Sequence, residues 1–464
     1  MVKPLALAVF GVFASAQAFA AGNTLFDELD PLTAPSSAVS VADEATQALL
    51  LSTAPGITVT QSTLASRSTV GSLSDINVGR YWDMIDTNRT GADQGRYLFM
   101  PFEPSNQSGA NTGSGALRYD KLTGATTTIV AVGTQNWQRG DASRWAPWGG
   151  WMTGEENFNG VAGSATGRLF EVTNPVTATA TTLTNGNGNL VQRNTMLPLV
   201  SHEGLAFDSA NNFYFIDENS GGSFYKFVSA NPNAANGDDF FANGTTYALQ
   251  VGTGSNADVG GSFNWVDIGV SGAGQDGRTL ADAAGATAFN RPEDMEVFTL
   301  GNGHEAIAFN ATGTHTTWTV DLSDMSITEL VTRNTIDVAT GLAVGSDFTS
   351  PDNIAIDADG NLYIVEDQGV PNADIWQVID SDGDGVAEGV KRWAALQVAG
   401  AEPTGLFFDP YDPNTAYLNI QHPGSDNDRL MKISVSAVPE PESYAMLLAG
   451  LGLVGAIARR RRAA

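Results

Sequence analysis

The sequence predicts an all-β protein, a six-bladed β-propeller with a long insertion between two blades, and three observations carry that expectation. From about Val78 to Ser436 there is no long amphipathic helical pattern; short runs rich in Val, Ile, Phe, Tyr and Trp alternate with clusters of Gly, Asn and Asp. Several runs share one template: HEGLAFDSANNFYFIDENSGGSFYKF from His202, PDNIAIDADGNLYIVEDQGVPNADIWQV from Pro351 and PTGLFFDPYDPNTAYLNIQHPG from Pro403. The units recur at about fifty residues, a spacing typical of architectures whose repeats cannot bury both faces alone.

Each copy reads as a strand, an Asp-centred turn, a second strand containing Tyr, an acidic or polar loop, and a third strand. Weaker copies start at Gly95, Pro147 and Pro292, giving six units in all. The rhythm breaks at Ser229 to Asn290, rich in Gly, Asn and Ala, which reads as an insertion above one face. Residues 21–77, rich in Ser, Thr and Ala, read as a loosely ordered leader or a peripheral piece that docks late, and residues 78–436 as the propeller.

The two ends read as processing signals. Residues 1–20 carry Lys3, an apolar run and the small-residue pattern Ala18-Phe19-Ala20, which predict a cleaved signal peptide. Residues 438–464 contain Val438-Pro439-Glu440-Pro441, an uncharged stretch Ser443–Ala458 and four consecutive arginines from Arg459. Taken alone, that order is also compatible with a weak membrane anchor. It closely resembles the PEP-CTERM sorting signal of Gram-negative bacteria. The resemblance implies an exosortase as processing partner, transient contact with the inner membrane through the tail, and delivery to the cell surface or extracellular matrix.

The formal charge of −28 argues against nucleic acid as a partner and favours cations. The chain contains no cysteine, so stability must come from packing and bound ions. In a propeller, equivalent loops converge on one mouth of the central channel. Residues just before the first strands then include Glu203, Glu293 and Asp352, and those after the second strands include Glu218, Glu366 and Asp367. Each acid alone also suits a solvated turn; as a ring they offer the oxygen ligands a hard cation needs, calcium above all. Asp380, Asp382 and Asp384 alternate ahead of Gly385 as in an EF-hand loop, although Lys391 stands where that loop has its final glutamate.

Five stretches in order, PWGGWMTGEEN, SHEGLAF, RPEDMEV, SPDNIAIDADGNLYIVED and LNIQHPG, are similar to signatures of the PhoX-type alkaline phosphatases. That resemblance implies an exported monomeric propeller that uses iron and calcium to hydrolyse phosphate esters. It assigns Glu155, Glu156, Glu203, Glu293 and Asp367 to the metals and Arg291 to the phosphate. Where the family has an iron-binding cysteine this chain has Gly154, which puts iron in doubt and favours oxygen-loving ions. Two other readings stay open. One is a non-enzymatic calcium-binding surface or matrix protein; the other is a lactonase-like hydrolase, because PDNIAIDADGNLYIVED also resembles gluconolactonase blades. His202 and His422 flank the expected mouth as candidates for proton transfer or for structural hydrogen bonding.

Overall fold

The computed structural model describes residues 24–37, 43–71, 79–104, 113–180, 190–367 and 373–438. The expected signal peptide and nearly all of the sorting tail lie outside these residues.

Strands such as Tyr97–Phe102, Phe213–Ile216 and Leu362–Glu366 are buried on both faces, because each sheet is covered on two sides. Antiparallel ladders follow one another along the chain. The first comprises Asp86–Thr87, Tyr97–Phe102, Gly115–Asp120 and Thr126–Val130; the second Gly140–Trp145, Trp151–Glu155, Leu169–Val172 and Leu190–Gln192. The third comprises Leu205–Phe207, Phe213–Ile216, Phe224–Ser229 and Gly244–Val251; the fourth Pro292–Thr299, Glu305–Ala311, Thr316–Asp321 and Ser326–Val331. The fifth comprises Pro351–Ile356, Leu362–Glu366, Asp374–Ile379 and Gly389–Leu396, and the sixth Glu402–Phe408, Thr415–Gln421, Arg429–Ala437 and the early strand Ile57–Ser66.

Alternate residues of one strand pack toward opposite neighbours, as the two-residue period of a strand requires. In the first ladder Tyr97 and Phe99 face the second, where they join Trp145, Trp151 and Phe170. Leu98, Met100 and Phe102 face the sixth, against Phe407, Tyr417 and Leu430. Similar clusters join the second to the third, the third to the fourth, the fourth to the fifth and the fifth to the sixth. The hydrophobic seams therefore close into a ring, the arrangement of a β-propeller.

The repeated Asp-to-Tyr template has a structural cause. Asp208 accepts from the backbone N–H groups of Ala210 and Asn212 and from the Tyr214 hydroxyl at 2.9 Å. Asp357 does the same with Asp359, Asn361 and Tyr363, and Asp409 with Tyr411 and Tyr417. One carboxylate thus closes the turn and satisfies the buried phenol of the next strand.

Two segments differ from the sequence reading. Within the span read as a leader, Ile57–Ser66 completes the sixth ladder and Leu49–Leu51 pairs with Leu396 to Ala394 of the fifth. Phe26 is fully buried against Trp393 and Phe408, and Lys391 donates to the carbonyls of Asp27 and Leu29. Within the span read as an insertion, Gly244–Val251 is the fourth strand of its ladder. Gly261–Asp267 adds a fifth, whose Gly261 and Ser262 reach Ile327 and Ser326 of the fourth ladder. Ser, Thr and Gly-rich composition hid these strands, and for Leu49–Leu51 and Ile57–Ser66 the partners are also supplied by distant chain.

Candidate metal centre

The inner strands begin at the same end of the ring, and their first residues converge on one chamber of about 540 Å³. Asp83 enters from just ahead of the first ladder, Asp141 from the second, Glu203 from just ahead of the third, Glu293 from the fourth, Asp352 from the fifth and Glu402 from the sixth. Glu103, Glu156 and Asp367 join them from the ends of second strands. Nine carboxylates share this chamber with Arg80, Arg291, Gln421 and His422.

The backbone repeats with the chemistry. Tyr81, Arg139, Arg291 and Ser350 each lie two residues before a chamber acid and each has a left-handed φ, between 45° and 61°. Such values are costly for residues with a side chain and cluster at functional sites. Here they mark the bend by which the chain turns inward and delivers Asp83, Asp141, Glu293 and Asp352.

Adjacent acidic pairs divide their labour. Glu155 accepts hydrogen bonds from the backbone of Gln138 and Arg168 and from the Arg168 guanidinium at 2.6 and 2.9 Å. Asp217 likewise takes Ser201 N–H and Arg278, and Glu366 takes the N–H groups of Thr349 and Asp374 and the Trp376 indole. In each case the first acid staples its own ladder to the incoming loop. The second acid turns the other way: Glu156 and Asp367 line the chamber, and Glu218 holds Arg291 at 2.6 Å. Of the residues that the family resemblance assigned to metals, Glu156, Glu203, Glu293 and Asp367 are brought together, whereas Glu155 is set apart with Arg168.

The chamber's electrostatics favour cation binding. Burial and mutual repulsion push Glu103, Asp141, Glu156, Glu203, Asp352 and Glu402 well above the usual carboxylate range. Burial moves Asp83 up to about 6 and Glu293 up to about 7, opposed by hydrogen bonds. Oxygens of Glu156, Glu203 and Glu293 are buried without a hydrogen bond, although Glu293 Oε1 lies 3.3 Å from the Arg291 guanidinium. Glu203, Glu293 and Asp352 can each place one oxygen within 4.8 Å of the others. Carboxylate oxygens at that spacing, that of Glu203 without a partner, suit a hard divalent cation that displaces their protons, and the donor set contains no cysteine sulfur.

The two histidines separate. His422 lines the chamber, with Nε2 2.9 Å from Glu402 and Nδ1 2.7 Å from the Gly400 carbonyl. His202 is fully buried beside Phe215, and burial alone lowers its pKa to about 3. It stands over Gly154: a Cβ at position 154 would overlap the His202 Cβ. Asp83, Glu103, Asp141 and Glu402 were not singled out from the sequence. The usable signal was spacing, since Asp141 follows Arg139 as Glu293 follows Arg291.

The ring of ladders and the carboxylate chamber define a β-propeller whose central acids could hold a metal ion. Models of the alkaline phosphatase PhoX family match residues 103–324 and 301–424, and the chain belongs to that family. The PEP-CTERM protein-sorting motif matches residues 437–462 and implies exosortase processing, export and surface attachment. Among solved structures, Pseudomonas fluorescens PhoX in complex with vanadate, a transition state analogue, aligns with a TM-score of 0.57 at 16% identity, covering 88% of this chain and 98% of its own. A Xanthomonas campestris gluconolactonase aligns at 0.43 and 10% identity, covering 88% of this chain and 97% of its own. A Bacteroides thetaiotaomicron putative phosphatase aligns at 0.38 and 12% identity, covering 87% and 71%. No curated protein sequence matches.

Proposed function

We propose that the chain is an exported, calcium-dependent hydrolase of phosphate esters, with each ladder serving as one of six blades. The observation that carries this reading is the buried carboxylate chamber with unpartnered oxygens and Arg291 at its wall. Glu203, Glu293 and Asp352 would hold a divalent ion, with Glu156 and Asp367 beside them. When bound, such an ion supplies Lewis acidity and neutralises charge on the phosphoryl oxygens. Arg291 binds the ester, since its planar fork matches two phosphate oxygens, and Glu218 fixes the direction of that fork. His422, with one ring nitrogen on the Gly400 carbonyl and the other on Glu402, fixes the position of Glu402 at the chamber wall. The loop of Asp380, Asp382 and Asp384 is on this reading only a weak, peripheral calcium site that empties on dialysis.

A second reading, a calcium scaffold without hydrolysis, is favoured by one observation. Position 154, where family resemblance places an iron-binding cysteine, has neither a thiolate nor space for one beneath His202. Hydrolysis of p-nitrophenyl phosphate by calcium-loaded protein separates the two. The hydrolase reading expects turnover that falls by about a hundredfold or more in Arg291→Ala. Absence of turnover with calcium, iron or both, from folded protein, leaves the scaffold.

A further inference from the structure

Arg291 is not the only cation at the chamber. Arg80 lines the same space from the entry to the first ladder, whereas Arg291 enters with the fourth. The hydrophobic seams place those ladders on opposite sides of the ring: three seams lead from the first to the fourth by way of the second and third. Three more return by way of the fifth and sixth. The two guanidinium groups therefore face the chamber from opposed walls.

The Arg80 wall is built. Asp428 accepts the backbone N–H groups of both Tyr81 and His422, fixing two residues with left-handed φ. Tyr81 and His422 meet edge to face at 5.5 Å, and the Arg80 guanidinium lies 5.0 Å from the Tyr81 ring centre. Asp426 pairs with Arg80, and the Arg80 side chain remains 31% exposed. One carboxylate engages at most two of the five guanidinium donors, so donors remain for a ligand.

From this we infer that the chamber selects phosphate esters whose leaving group carries a second anionic group, bound by Arg80 while Arg291 holds the phosphoryl group. The inference rests on the phosphate-ester reading of the chamber. In a chain of net charge −28, a second anion within a carboxylate-lined mouth would be repelled unless a dedicated cation received it. Arg80 is then a specificity residue, acting on the leaving-group side and not on the phosphoryl group.

The test uses two non-hydrolysable probes, benzylphosphonate and 4-carboxybenzylphosphonate, titrated calorimetrically into the calcium-loaded protein. The expected result is about tenfold tighter binding of the carboxylated probe, a preference that drops to roughly twofold or less in Arg80→Ala and is partly kept in Arg80→Lys. Melting curves of each variant establish that it is folded. Equal affinities in the unaltered protein, or a preference that survives Arg80→Ala, overturn the inference. Hydrolysis of p-nitrophenyl phosphate by the same preparation reports on the underlying reading. Turnover with equal probe affinities sinks the Arg80 role alone, and failure to bind either probe together with no turnover sinks both. Preserved probe preference without turnover supports the Arg80 role and removes only the hydrolase.

Discussion

Among the described residues, the loop of Asp380, Asp382 and Asp384 and the chamber are two groups of clustered carboxylates built in opposite ways. In the loop, Asp380 accepts the N–H groups of Gly383 and Gly385, Asp382 that of Asp384, and Asp384 that of Val386; Asp382 and Asp384 are exposed. In the chamber, acids of six different ladders meet in a buried space where oxygens of Glu156, Glu203 and Glu293 have no hydrogen bond. Local turns satisfy the loop, so a cation adds little there. Only a cation, or retained protons, relieves the chamber. The difference teaches that acidic spacing along a chain is a weaker guide to ion binding than where the fold sends the carboxylates.

The largest expected effect is that of removing metal. An ion bound only by the folded state at about a thousand times its dissociation constant contributes about 4 kcal/mol. Chelation should therefore lower the melting temperature by about 4–5 °C for a chain of this size. Glu203→Gln/Glu293→Gln should melt within about 2 °C of the same temperature with and without chelator, which calorimetry can read directly.

The pH dependence of the metal-free protein sharpens the same contrast. Asp83 and Glu293 rise to about 6 and about 7 on folding, so the folded state binds their protons more tightly than the unfolded chain. That contribution, on the order of a few kcal/mol, is fully present below the ordinary carboxylate pKa and is lost as pH rises through 6 to 7. Urea midpoints of chelated protein should fall between pH 5 and pH 8. Calcium should flatten that fall, and a flat profile without metal would contradict the account.

A smaller effect is expected at Gly154. An added methyl group meets the Cβ of His202, which is itself locked against Phe215. Gly154→Ala should cost about 1–3 kcal/mol in denaturant unfolding, without changing calcium content. Smallest of all, Asp380→Asn/Asp382→Asn should shift the chelator-sensitive melting by roughly 2 °C or less. A shift as large as that of the chamber variant would make the loop the principal site and reverse the comparison.

Much of this contrast was legible in the sequence, and the parts that were not have physical causes. The Asp-to-Tyr template exposed the ladders because one carboxylate serves both turn and strand, as Asp357 does for Tyr363. The acidic pairs marked the chamber mouth, yet adjacency could not tell which partner faces inward. Strand geometry sends neighbours to opposite sides, so Glu155 goes to Arg168 and Glu156 to the chamber. Asp83 and Glu402 stayed hidden because they lie outside the repeated motifs and are united only by ring closure. The closing strand Ile57–Ser66 looked like leader because its faces are polar and half-exposed, with its partner, Arg429–Ala437, near the other end of the chain.

The most direct test is the metal content of the purified protein after dialysis against metal-free buffer, measured by mass spectrometry on the unaltered chain and on Glu203→Gln/Glu293→Gln. The account predicts retained calcium with little iron in the first and loss of that calcium in the second. Iron as the main retained metal, or calcium that survives the double substitution, would contradict a chamber built for an oxygen-loving ion.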